Sequence, residues 1–248
     1  MCVYCGGLSD SNDHSPPKCL LEEPFPPNLT TLPCCTGCNQ SFSKDEEFTA
    51  FVLQHVSGAR TEGRSLEFQA KKARILNASP GLREQLKRMY REDGRLEVDA
   101  AALRRIVRVA IKCAAGLYYR DYGIIRTQED FSCLLVEHQS HVDREEALRR
   151  FCGNAVWPEV GSASLSRLAR YVVVGNRVYY DNPRAVQWRS LQDDVLEYAF
   201  GKHTDTEKLV CVLDIRHALV VAVLCPWPCD SSAAQRRRRK REHYGGDS

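Results

Sequence analysis

Six of the chain's twelve cysteines fall in its first 38 residues: Cys2, Cys5, Cys19, Cys34, Cys35 and Cys38. Cys2-Val-Tyr-Cys5 and Cys35-Thr-Gly-Cys38 are two C-x2-C pairs about thirty residues apart. Four thiolates so spaced suit one tetrahedral Zn²⁺ and leave it no open position, which makes the expected site structural rather than catalytic. Cys34 is adjacent and could replace Cys35 in the second pair. The remaining six cysteines are scattered, most among apolar neighbours where a buried thiol is the expectation.

Between the two pairs stand residues that do other chemistry. Asp13-His14 follows Cys5 by eight residues, and Pro16-Pro17-Lys18 comes next. Pro27-Asn28-Leu29 precedes the second pair, Asn39 follows it at once, and Phe42-Ser43-Lys44-Asp45-Glu46 closes the segment. In this order the first fifty residues resemble the HNH endonucleases, whose site is a ββα-metal fold. The resemblance implies His14 as general base, since a neutral imidazole with a pKa near ~6.5 can take a proton from an attacking water. It implies Asp13 and Asn39 as ligands of a catalytic Mg²⁺, with Mn²⁺ as substitute. Strand alternation sends Asp13 to the face opposite His14. Asn28 would brace the loop that orients His14, and Lys44 would hold a phosphate electrostatically.

Taken singly, each residue has a plainer reading. Asp13-His14 can be a polar surface pair, Asn28 a turn residue after two prolines, Asn39 a helix N-cap. Two features depart from the family pattern. Ser15 stands where an apolar residue usually follows Asp-His, and Leu8 to Asp13 is polar for a first strand.

The surrounding pattern gives the expected frame, an α+β chain. Residues 1–50 form the zinc-stapled head, 51–160 a mainly helical region, 161–230 a β-rich region with antiparallel strands, and 231–248 a basic tail. A head so short and polar can hardly bury a core unaided, so a metal staple makes physical sense. Helices are expected over Asp45–His55, Ser65–Leu76, Leu82–Tyr90, Val98–Tyr119, Arg126–Val136 and Arg144–Phe151. The fourth carries Leu103, Ile106, Val107, Ala110, Ala114 and Leu117 as one apolar stripe, with Asp99 in its first turn. Arg170–Tyr180 reads as a hairpin about Gly175-Asn176. Val210–Asp214 and His217–Leu224 read as a second strand pair, and Leu191–Phe200 as strand or short helix.

Charge decides where a nucleic acid would be held. The net charge is +3, but residues 1–50 carry −5 and the rest +8. Phosphate contacts are therefore expected outside the head or through cations. Arg104, Arg108 and Lys112, four residues apart on one helix, could track a phosphate backbone or form a solvated face. The run Arg236–Arg241 could add non-specific affinity or be a disordered end. Glu137-His138-Gln-Ser-His141-Val-Asp143 has metal-ligand residue types but reads first as a polar loop.

The longest apolar run, Ala218–Cys225, is far below the ~20 residues of a membrane helix, and no secretory signal opens the chain. The cytoplasm is the expected compartment, and no membrane partner is expected. Two functions follow: a phosphodiesterase acting on nucleic acid, with DNA expected, or a non-catalytic zinc module binding nucleic acid or protein. A defence effector triggered by a partner protein is a third. Cleavage of both strands by a single site would need a homodimer or two visits.

Overall fold

Polar as it is, Ser11–Ser15 forms strand β1, paired antiparallel with β2, Thr30–Cys34. Asp13 lies opposite Leu32, and His14 opposite Thr31. The strand holds because it pairs with β2 and because its inward carboxylate, Asp13, meets Lys112 deeper in the molecule, not because its composition favours extension. Helix α1, Thr36–Val56, follows the hairpin directly. Its start is fixed from across the chain, where Asp10 Oδ1 accepts the Thr36 backbone N–H at 2.6 Å and the Thr36 hydroxyl at 3.1 Å.

This computed structural model describes residues 1–56, 77, 79–89, 97–138, 141–152, 170–174, 177–181, 188–206 and 208–228. The expected helix over Ser65–Leu76, the turn Gly175-Asn176 and the run Arg236–Arg241 lie outside them. Helix α2 spans Pro80–Met89 and α3 spans Ala100–Tyr122. Asp99 is the N-cap of α3, accepting the Ala102 N–H at 2.7 Å. Gly123, at φ +69°, ends the helix with its N–H on the Tyr119 carbonyl, a left-handed position where a glycine carries no Cβ strain.

The helix expected over Arg126–Val136 is instead a short 3₁₀ turn at Gln128–Asp130 and then strand β3, Ser132–His138. A brief apolar run such as Leu134-Leu135-Val136 is ambiguous in sequence. Pairing with a later strand along its length decides for extension. Helix α4, Arg144–Cys152, then precedes strands β4 (Arg170–Val174) and β5 (Arg177–Asp181), which pair as the expected hairpin. The chain continues as β6 (Arg189–Gln192), β7 (Leu196–Lys202), β8 (Leu209–Ile215) and β9 (Leu219–Cys225). The undecided segment Leu191–Phe200 is thus strand. Together with β3 these make a five-stranded antiparallel sheet in the order β3-β9-β8-β7-β6.

The sheet has a helix on each face, so β8 is buried along its whole length. Leu209, Cys211, Leu213 and Ile215 join the core shared with α3, whereas Val210 and Val212 pack towards Ala147 and Leu148 of α4. Helix α3 is the shared wall between sheet and hairpin. Its Ala114, Leu117 and Tyr118 lie in one core with Leu32 of β2, Val3 near the first cysteine pair, and Tyr198 and Val223 of the sheet. Fully burying a leucine such as Leu32 or Leu117 contributes roughly 1.5–3 kcal/mol. The first fifty residues therefore do not stand alone: they borrow a core from α3. Gly116 is what lets α3 come this close, since a Cβ there would stand 1.9 Å from Ser15 Oγ and 2.8 Å from Leu32 Cδ1. The same closeness bars a large apolar side chain at Ser15.

Candidate functional site

The four cysteines converge. One sulfur from each of Cys2, Cys5, Cys35 and Cys38 lies within 4.8 Å of all the others. The first pair is shaped by a tight turn in which Gly6, at φ +74°, donates its N–H to the Cys2 carbonyl at 2.9 Å. The second pair sits at the start of α1, where the Cys38 N–H points at Cys35 Sγ, 3.4 Å away. Burial acts against ionising Cys2. Backbone N–H groups of Cys35, Cys5 and Tyr4 and the Cys5 side chain act the other way and bring its thiol down to about 6. This group could hold a metal ion, and its donor chemistry fits one. Cys34 is excluded from it: its side chain turns into the core and donates to the Cys35 carbonyl at 3.2 Å.

Alternation along β1 sends Asp13 inwards and leaves His14 half-buried on the other face. Burial first, and then the Lys18 ammonium, lower the His14 pKa below its ordinary 6.5, outweighing the opposite pull of Asp13. Lys18 is exposed, so a cation that reaches solvent stands electrostatically close to the imidazole. It belongs to the motif read from sequence, but no role had been attached to it. Asn39 lies in the first turn of α1 and donates from Nδ2 to the Asn12 carbonyl at 3.3 Å. It joins helix to hairpin and does not cap the helix, a task that falls to Asp10. Asn28 is exposed in the turn before β2, where its carbonyl accepts the Thr30 hydroxyl at 3.4 Å. Lys44 is exposed on α1.

Asp13 is where the expected cation site fails to assemble. Its Oδ1 accepts the His14 backbone N–H at 2.8 Å, and its Oδ2 faces Lys112 Nζ at 2.5 Å. Glu46 of α1 closes on the same ammonium from the other side. Lys112 is 1% exposed, and its Nζ also lies 4.9 Å from the Phe42 ring centroid and 5.5 Å from that of Tyr4. A hard divalent ion needs a carboxylate free to bind it. This one is already neutralised by a buried cation with nowhere to move, so the donors as they stand do not fit Mg²⁺.

The basic row on α3 has the same fate. Lys112 faces the core. Arg108 binds Asp45 Oδ2 at 2.8 Å and the Ser41 carbonyl at 3.1 Å, and lies over the Phe42 ring. Arg105 binds Asp45, Gln85 and the Lys44 carbonyl. These side chains clamp α3 to α1 rather than track a phosphate backbone; Arg104 is exposed. Sequence spacing could not separate the two roles, because the acidic partners lie some sixty residues away.

One further group of metal-ligand residues meets among the described residues, formed by Glu197, Asp214 and His217. The stretch Glu137–Asp143 yields none there; Glu137 instead lies 3.6 Å from His141 Nδ1. No helix among the described residues is long and apolar enough to cross a membrane. Comparison with protein-family models, curated proteins and solved structures returns no match for this chain.

Proposed function

We propose that this chain is an HNH-type phosphodiesterase acting on nucleic acid, DNA in the first instance, with His14 as general base. The observation that carries the reading is His14 itself: a half-buried imidazole on the first strand of a hairpin–helix unit, beside an exposed lysine. A lowered pKa keeps the imidazole neutral at cellular pH, the form that can accept a proton from water. Lys18 and Lys44 supply positive charge that a phosphodiester would meet on approach. Zn²⁺ is the ion we assign to Cys2, Cys5, Cys35 and Cys38, because four thiolates give a closed tetrahedral site. Its role is to hold the hairpin and the start of α1 together. Because Asp13 is committed to Lys112, no step of the reaction is assigned to a second cation.

That same commitment favours a second reading, a zinc-stapled module that binds nucleic acid or protein without cutting it. Cleavage of supercoiled plasmid, with and without Mg²⁺ or Mn²⁺, separates the two when wild type is compared with His14→Ala. The variant keeps its cysteines and its buried ion pairs. Nicking by wild type and not by the variant supports the enzyme. No cleavage of DNA or RNA by either supports the binding module, and equal cleavage by both removes His14 from the mechanism.

A further inference from the structure

Far from the cysteines, the central strand β8 carries a single charged residue, Asp214, in the sequence Leu-Val-Cys-Val-Leu-Asp-Ile. It is 1% exposed. Directly opposite it in register on β7 stands Glu197. Like charges facing each other across two strands destabilise a sheet, and burial makes the repulsion stronger. His217, in the turn between β8 and β9, brings Nδ1 to 3.0 Å from Asp214 Oδ2. Its Nε2 lies 3.2 Å from Asp194 Oδ1. Arg144 of α4 offers partial compensation, pairing with Glu197 and reaching to 3.7 Å from Asp214. Asp214 Oδ1 is buried and has no hydrogen-bond partner.

We infer that Glu197, Asp214 and His217 form a binding site for a divalent first-row transition ion, separate from the cysteine cluster. One ligand atom from each lies within 4.8 Å of the other two. Two atoms 3.0 Å apart, as His217 Nδ1 and Asp214 Oδ2 are, subtend about 90° at an ion ~2.1 Å from both. The histidine contacts fit the same arrangement. A neutral imidazole carries one N–H, so it can donate to only one of its two carboxylates. With the proton on Nε2 and directed at Asp194, Nδ1 is a lone pair facing Asp214, and a cation between them turns that repulsion into two bonds. Asp194 then fixes the tautomer, as carboxylates behind metal-bound histidines do. Asp194, Arg216 and His217 are also the non-glycine residues with left-handed φ among the described residues. Their strained turns hold this arrangement. Arg144 differs from Lys112 in having somewhere to go, since its side chain is 30% exposed. Three protein ligands leave positions open to water.

The test uses full-length, zinc-loaded protein titrated with Mn²⁺, with the free-ion EPR signal as readout. The site predicts a bound Mn²⁺ whose affinity falls at least about tenfold in His217→Ala and about tenfold in Asp194→Asn. Arg144→Gln, which removes the competing cation, tightens it. Both weakened variants lie in surface turns, so the test does not depend on replacing buried Asp214. Wild type that binds no Mn²⁺ overturns the proposal and leaves a network closed by Arg144 and the His217 hydrogen bonds. Mn²⁺ bound equally by wild type and His217→Ala also overturns it. Binding lost in Asp13→Asn alone would assign the ion to the head and bear on the proposed function instead.

Discussion

Replacing Lys112 by methionine removes a buried ammonium of similar length and leaves two carboxylates facing one another without a cation. Asp13 is 8% exposed, and the Glu46 side chain 15%. Breaking a buried ion pair from one side costs about 3–5 kcal/mol, because the abandoned charge stays buried. In a chain of this size that is a fall of roughly 6–20 °C in Tm. It is also a large share of the ~5–15 kcal/mol that typically separates folded from unfolded.

The loss depends on pH with a definite sign. Burial, only partly offset by Lys112, already holds the Glu46 carboxyl above its ordinary 4.5. A group whose folded pKa is raised contributes stability that is present below its unfolded value and lost as pH rises through the folded one. Without Lys112 the Glu46 carboxyl rises further, so its protonation relieves the variant more than wild type as pH falls. Lys112 is pulled down by burial and pushed up more strongly by Glu46 and Asp13, ending above 10.5. Its own contribution is therefore complete at neutral pH and fades only in strong alkali. Urea unfolding of both proteins at about pH 7.5 and about pH 5 should show a deficit of ~3–5 kcal/mol that narrows at the lower pH. A deficit under about 1 kcal/mol, the scale of an exposed pair, or one equal at both pH values, would refute the claim that this ion pair is desolvated.

Gly116→Ala drives a methyl group into Ser15 and Leu32 and should cost about 1–3 kcal/mol by overpacking. Gly81→Ala, in α2 with open space around it, should instead stabilise by roughly 0.5–1 kcal/mol; differential scanning calorimetry compares the two. Cys38→Ser should cost the chain one tightly held zinc ion and lower Tm, as read by metal analysis and thermal unfolding. Equal zinc in wild type and variant would break the four-cysteine assignment. Because the His14 pKa lies below 6.5, the acid limb of any His14-dependent activity should fall below that pH. An NMR titration of the His14 ring with a midpoint above 6.5 would contradict it.

Local pattern carried much of the frame into view. Ile106, Ala110, Ala114 and Leu117 of the α3 stripe, the hairpin β4–β5 and the pair β8–β9 follow from spacing that neighbours in sequence supply. Leu103 of the same stripe is exposed, and Asp99, read as a charge within the first turn, is instead the N-cap. Both cysteine pairs were legible for the same reason. What stayed hidden depended on partners far along the chain. Strand β1 looks too polar until Lys112 and Gly116 are placed against it. The apolar run in β3 is strand only because β9 pairs with it. Arg104, Arg108 and Lys112 show a basic row to any reader of the sequence, yet Asp13 and Glu46 hold Lys112 inside, Asp45 ties Arg108 to α1, and Arg104 keeps the solvated face. Cys34 and Cys35 could not be told apart by spacing, because what separates them is which way a strand end faces.

The wall that α3 builds between hairpin and sheet also sets an order of events during synthesis. All four cysteines of the cluster have been made once Cys38 has been added. The residues that cover the hairpin's inner face, Ala114 and Leu117, come more than seventy positions later. For that interval the nascent head has its clasp but no floor. On the proposal that the four cysteines hold Zn²⁺, a metal-held loop precedes the packed hairpin on the ribosome, and Asp13 waits without its ion-pair partner until Lys112 arrives.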